Sequence, residues 1–323
     1  MKALAVLLAC MCSMAFAKEA SFMPPNNLHL EDGLYTGGLT EVQFKNAIDR
    51  IEKEYTPIFA KFGAKLDIKR LWSDNTVNAS AEQLDEKTWR VNMYGGLARR
   101  PEVTEDGFML VLCHEIGHHL SGYPFVEDWA ADEGQSDMYS TGPCAFKMFK
   151  KNAELAVQAG SELPADLKAK CDESHKSDAD VCYRAIIAGK SLGDLLAALQ
   201  NTTIAYDTPD KKVVRKTKHS HPDAQCRLDT YVASALCGSE KWDHDLIPGK
   251  SFDNRNSLEA QKEAFAHGCE TGIGARPLCW FAPIAESEPP APPPSGGIEC
   301  PFEDPELCDA MCKRFPKLPW CDK

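Results

Sequence analysis

Apolar residues recur at helical spacing at Phe44, Ile48, Ile51, Tyr55 and Ile58. Thr40 stands three residues before Gln43, so a helix with a capping box is predicted near 40–60. Leu66, Ile68 and Leu71 alternate with charges and predict a strand over 64–72. Residues 76–81 and 88–94 are further strand candidates. From Gly107 to Leu120 the chain is almost wholly apolar, and Gly122 and Pro124 follow as stop signals, which predicts a buried helix. A second helix is predicted from Asp128 to Tyr139, broken at Gly142-Pro143, with Pro143 restarting a helix at its first position. Residues 185–199, 222–236 and 258–266 also carry helical patterns. Residues 18–38 have no clear period and read as a loose lead-in. They are too short for an independent prodomain, although as a peptide they could lie in a cleft. The expected class is α+β: a helix and a small mixed sheet over the 107–120 helix, with a mainly helical second half.

Composition changes this picture in two places. The chain has 323 residues and 14 cysteines, more than an ordinary cytosolic enzyme carries. Its start supplies the context: Lys2, an apolar run over 3–14, then Ala15-Phe16-Ala17 as a cleavage site. This reads as a signal peptide over 1–17, and hence as a secreted or periplasmic protein with no transmembrane segment in the mature chain. Cleavage removes Cys10 and Cys12, leaving an even number for disulfides. Cys113 is expected to pair with Cys144. For the others, adjacent pairing is the expectation: Cys171–Cys182, Cys226–Cys237 and Cys269–Cys279. A main domain over 18–287 is followed by a Pro/Gly-rich linker at 288–298. A small module at 299–323 holds Cys300, Cys308, Cys312 and Cys321 and depends on disulfides. The net charge of −12 argues against nucleic acid as a partner.

The chemistry lies at His114-Glu115-Ile116-Gly117-His118, the HExxH zinc motif inside a predicted helix. Residues four apart on a helix differ by only about 40° around its axis, so the two imidazoles face one way and can share one Zn²⁺. Glu115 lies about 100° from His114 and flanks the metal, where a base acting on water belongs. A third histidine at metzincin spacing would fall at Pro124, so a carboxylate is expected instead. Glu127, Asp128, Asp132, Glu133 and Asp137 all follow. Glu133 and Asp137 share a helix face, which suits a metal ligand plus a carboxylate that orients a histidine ring. Asp128 and Asp132 read as the helix start and its solvated face, with Glu127 and Asp128 the alternative ligands.

The run Cys113-His-Glu-Ile-Gly-His-His-Leu-Ser-Gly122, then Glu133-Gly-Gln-Ser-Asp137, resembles the gluzincin metallopeptidases of the HtpX and CaaX-prenyl-protease type. The resemblance extends over roughly 65–240, to the segment Asn92–Arg99 and to His221-Pro222-Asp223 followed by Arg227. It implies a zinc endopeptidase with His114, His118 and Glu133 as ligands, Asp137 behind them and Glu115 as general base. It also implies that His221 donates to the oxyanion, with Arg227 behind it, and that 90–94 pairs with an extended protein or peptide substrate. The family's familiar members are membrane proteins. This chain would be an exported relative, so their membrane-protein and prenylated substrates do not carry over.

Two other functions compete: a zinc-binding, non-catalytic disulfide-rich scaffold, and an adhesion or inhibitor protein whose histidines are incidental. The intact Glu115 favours turnover. His119 should point away from the ligand face. His29, His175, His219, His244 and His267 are expected at the surface. Asn78 and Asn201 head glycosylation sequons.

Overall fold

Helix α1 (Glu41–Lys61) opens on a reciprocal capping box: Gln43 N donates to Thr40 Oγ1, and Thr40 N donates to Gln43 Oε1. Its buried stripe runs from Phe44 through Ile48, Ile51 and Tyr55 to Phe59. These features belong to a computed structural model that describes residues 19–33, 37–150, 163–285 and 313–314. The chain divides into two compact units, Met1–Pro283 and Ile284–Lys323. The expected signal peptide over 1–17, the whole linker over 288–298 and the four tail cysteines lie outside the described residues.

The architecture is α+β. Strands β1 (Ala20–Ser21), β2 (Lys65–Leu71), β3 (Ala79–Asp85) and β4 (Thr88–Tyr94) form one mixed sheet in the order β1-β3-β4-β2. A tight turn joins β3 to β4, and the pair is antiparallel. β2 runs parallel to β4, with Lys65 opposite Thr88 and Leu71 opposite Tyr94. After the short α2 (Gly95–Ala98) comes the central helix α3 (Glu105–Leu120). Thr104 caps α3 by accepting from Gly107 N, and Glu105 and Asp106 lie at the positive end of its dipole. Every residue from Gly107 to Leu120 is buried, because α3 packs against α1, the sheet and the helices that follow. Those helices are α4 (Glu133–Tyr139), α5 (Ala145–Phe149), α6 (Ala165–His175), α7 (Ala179–Leu199), α8 (Ala224–Leu236) and α9 (Leu258–Ala266). No described helix is long and apolar enough to cross a membrane.

Several sequence expectations need correction. The lead-in is not loose throughout: Ala20–Ser21 adds an antiparallel strand to β3, and Phe22 is fully buried. The strand expected at 76–81 starts at Ala79. The helix expected from Asp128 starts at Glu133, because Asp132 caps it by accepting from Gln135 N. Asp132 is therefore buried and not part of a solvated face. Gly142-Pro143 does not break the chain's course. A π-helical turn at Ser140–Cys144 absorbs the proline and leads into α5.

Four disulfides are formed among the described residues. Cys113–Cys144 and Cys171–Cys182 match expectation, but Cys226 pairs with Cys279 and Cys237 with Cys269. The expected Cys226–Cys237 bridge is ruled out by α8. Eleven residues of helix separate the two Cα atoms by about 16 Å, and a disulfide needs roughly 4.4–6.8 Å. With both ends of α8 bonded elsewhere, a Cys269–Cys279 bridge has no partners left. His175 is buried rather than at the surface. Its Nε2 donates to the Ala235 carbonyl at 2.7 Å, and its ring lies against Phe146. His29 and His219 are exposed, and His244 and His267 are half-buried. The sequon residue Asn78 is engaged structurally: its side chain accepts from Met23 N and donates to the Met23 carbonyl.

Candidate metal centre

Helix α3 presents His114 and His118 one turn apart, with ring centroids 4.8 Å from each other. Helix α4 crosses so closely that a Cβ on Gly117 would lie 3.1 Å from the Ser136 backbone. The absence of a side chain at Gly117 thus lets the first turn of α4 reach the histidines. Glu133, the first residue of that turn, stands between them. Its Oε2 is 3.2 Å from His114 Nε2, and its Oε1 is 3.7 Å from His118 Nε2. Gly134 is needed at the next position, since a Cβ there would enter the Trp280 ring, 2.2 Å from its nearest atom.

The outer ring nitrogens are anchored. His114 Nδ1 lies 2.8 Å from Asp137 Oδ1, and His118 Nδ1 lies 2.8 Å from the Ala131 carbonyl and 3.0 Å from Ser136 Oγ. The inner nitrogens are buried and make no hydrogen bond, and neither does Glu133 Oε2. Buried polar atoms are almost always partnered, so three converging orphans on held rings point to a ligand. One ligand atom from each of His114, His118 and Glu133 falls within 4.8 Å of the other two, so this group could hold a metal ion. Two nitrogens and one carboxylate oxygen suit a divalent transition metal such as zinc.

The electrostatics favour positive charge there. Burial opposes charge on His114, but Asp137 and then Glu133 outweigh it and raise its pKa to about 9. Burial likewise opposes the Glu133 carboxylate, yet His118, His114 and His221 hold it down at about 2. Burial, with His114 beside it, lowers the His118 pKa to about 4. Glu115 is fully buried, and neither of its carboxylate oxygens has a partner. Burial, and then the Glu133 charge acting against the pull of His114, raise its pKa well above the ordinary value.

The two downstream residues come to the same place. Arg227, on α8, forms a buried bidentate pair with Asp137: Nε to Oδ2 at 2.7 Å and NH2 to Oδ1 at 2.7 Å. Its NH1 donates to the Phe22 carbonyl, and its guanidinium lies over the Phe22 ring. His221 Nε2 is 3.4 Å from Glu133 Oε2 and donates to the Ser21 carbonyl at 2.7 Å. All seven residues singled out by sequence, His114, Glu115, His118, Glu133, Asp137, His221 and Arg227, thus converge. The alternative ligands Glu127 and Asp128 do not join them. They line a surface cavity with 253–256. His119 does point away, stacked between Trp89 and Trp129 with Nε2 bonded to the Arg90 carbonyl.

One expectation fails here. The segment 90–94 offers no edge to a substrate, because β4 is paired with β3 on one side and β2 on the other. Sequence reasoning also missed Ser21 and Phe22, whose carbonyls occupy His221 and Arg227. Two residues of strand have no detectable period. Ser136, three residues after Glu133, was visible in the same motif as a group facing the metal helix. No family model, curated protein or solved structure matches the chain, so the geometry of the centre carries its functional reading.

Proposed function

We propose that the protein is an exported zinc-dependent endopeptidase of gluzincin type. The observation that carries this reading is Glu115. A fully buried carboxylate with two unpartnered oxygens, next to a metal-capable His-His-Glu group, has no structural role to account for its cost. A scaffold that only needed the metal would be more stable without it.

Bound zinc would supply Lewis acidity, lowering the pKa of water and polarising a carbonyl. The protein's own groups do the rest. Glu115 takes a proton from the attacking water and returns it to the departing amine. His221 is a donor to the substrate carbonyl as negative charge develops on it. Asp137 holds the His114 ring in place, and Arg227 holds Asp137. The disulfides and the expected signal peptide support a location outside the cytosol.

The test is zinc content and casein hydrolysis of the wild type, Glu115→Gln and Glu133→Ala. We expect about one zinc in the wild type and in Glu115→Gln, and little in Glu133→Ala. Hydrolysis should fall by about 10²-fold or more in Glu115→Gln. Equal behaviour of Glu115→Gln and wild type in every assay would favour the scaffold. A wild type that takes up no zinc would refute the centre itself.

A further inference from the structure

The centre is sealed. His114, Glu115 and His118 have no exposed surface, and Glu133 has little, yet a peptidase must admit a chain. The N-terminal strand is part of this cover. β1 lies antiparallel on β3, with Ala20 opposite Ala81 and Ser21 opposite Ser80. Phe22 N continues the ladder by donating to the Ala79 carbonyl at 3.1 Å. On its other side the strand meets the helical half: the Ser21 carbonyl takes the His221 hydrogen bond, and the Phe22 carbonyl takes Arg227. The Phe22 ring stands edge-on to His114 at 5.3 Å. An extended backbone thus fills the space between the sheet edge and the residue proposed to polarise a substrate carbonyl.

We propose that the outer edge of β3 is the peptide-docking strand of this protein and that residues 19–22 occupy it as an internal substrate mimic, making the described state a latent one. This rests on the peptidase reading above. Three features support it. The hydrogen bond from His221 goes to a main-chain carbonyl, the group it would polarise in a substrate. Edge-strand addition is sequence-tolerant, because the main chain supplies the bonds, so the same edge accepts this strand or another. The strand of the strap is also only two residues long, so an incoming chain has few main-chain strand bonds to displace. Strand β3 continues to Asp85, and among the described residues no strand pairs with its outer edge beyond Ala81, where a competing chain can begin to pair.

Two variants test this in opposite directions. The Phe22–Ala79 bond makes Ser21/Ser80 the close, non-hydrogen-bonded pair, so S21C/S80C should form a disulfide that locks the strap. Ala20→Pro removes the donor of the next hydrogen-bonded pair without touching the buried Phe22 and should loosen the strap. Binding is read on a Glu115→Gln background by anisotropy of a fluorescent peptide Glu-Ala-Ser-Phe-Met, and turnover is read with casein on the intact base. With zinc content equal throughout, the lock should cut both binding and turnover by about tenfold or more, and Ala20→Pro should raise both by about fivefold. If both variants match the wild type in binding and turnover, the strap is a permanent edge and the proposal is overturned. If the lock fails to form by mass spectrometry, Ala20→Pro alone decides in the same way. Peptide binding that follows the strap while no variant hydrolyses casein would uphold the docking edge and sink the peptidase reading.

Discussion

The buried pair of Asp137 and Arg227 serves two ends that a double-mutant cycle can separate. Asp137 has no exposed surface and Arg227 almost none, two 2.7 Å bonds join them, and among the described residues no other carboxylate is bonded to the guanidinium. Asp137→Leu strands that buried cation, which should cost about 3–5 kcal/mol. Arg227→Met frees the Phe22 carbonyl and leaves Asp137 with the His114 ring as its remaining charged partner, so its cost should be smaller. The double variant removes both charges and should recover most of this, because apolar replacement of a buried pair is often close to neutral. Metal affinity should not recover. His114 Nδ1 loses its 2.8 Å partner in both Asp137→Leu and the double variant, and loss of such a partner typically weakens metal binding by about 10–100-fold. Stability is read by urea unfolding in chelator, so that bound metal does not contribute, and affinity by competition with a chromophoric chelator. A double variant that binds zinc as tightly as the wild type would refute the orienting role of Asp137. A double variant as unstable as Asp137→Leu would refute the stranded-charge argument.

Further outcomes follow from other parts of the structure. Peptide mapping of the non-reduced protein should recover Cys226–Cys279 and Cys237–Cys269. Replacing Cys113 and Cys144 by Ala should cost about 3.5 kcal/mol for a loop of this length, with zinc retained, and mapping of adjacent pairs would contradict the α8 argument. His175 is held neutral by burial, so its pKa lies below the ordinary 6.5, and the unfolded chain binds more protons than the folded one as pH falls. Its share of stability is present above pH 6.5 and is lost on acidification through the folded pKa. His175→Gln, which keeps a donor for the Ala235 carbonyl, should flatten the decline in urea midpoint between pH 6.5 and the acid limb; an unchanged slope would exclude His175 as a source. Gly134→Ala should destabilise by about 1–3 kcal/mol and weaken zinc binding, since the new Cβ collides with Trp280 and must displace the turn that carries Glu133. Calorimetry and metal titration on one sample would show whether the two losses come together.

The elements that sequence foretold are those whose causes are local. The Thr40/Gln43 box, the stripe of α1 and the apolar run of α3 each draw on residues within a turn or two of one another. The same holds for the pairing of His114 with His118, since four residues on a helix always bring two side chains to one face. The start of α4 shows where this locality ends. Acidic residues before Glu133 looked like a helix entry, but the capping geometry and the buried surroundings of Asp132 put the boundary at Glu133. The cystines teach the same lesson: Cys226 and Cys237 are near in sequence, but the rigid rod between them sends each to a distant partner. His221 and Arg227 were candidates only through the resemblance of the segment His221-Pro222-Asp223 and Arg227 to a family motif. That Arg227 would bind Asp137, and that both would close over Ser21 and Phe22, was not legible. Local hydrogen bonding and side-chain period are settled over a few residues. Which carbonyl fills a donor some 200 positions away depends on loop closure and on burying polar groups in pairs, and those free energies exist only once the whole core has formed.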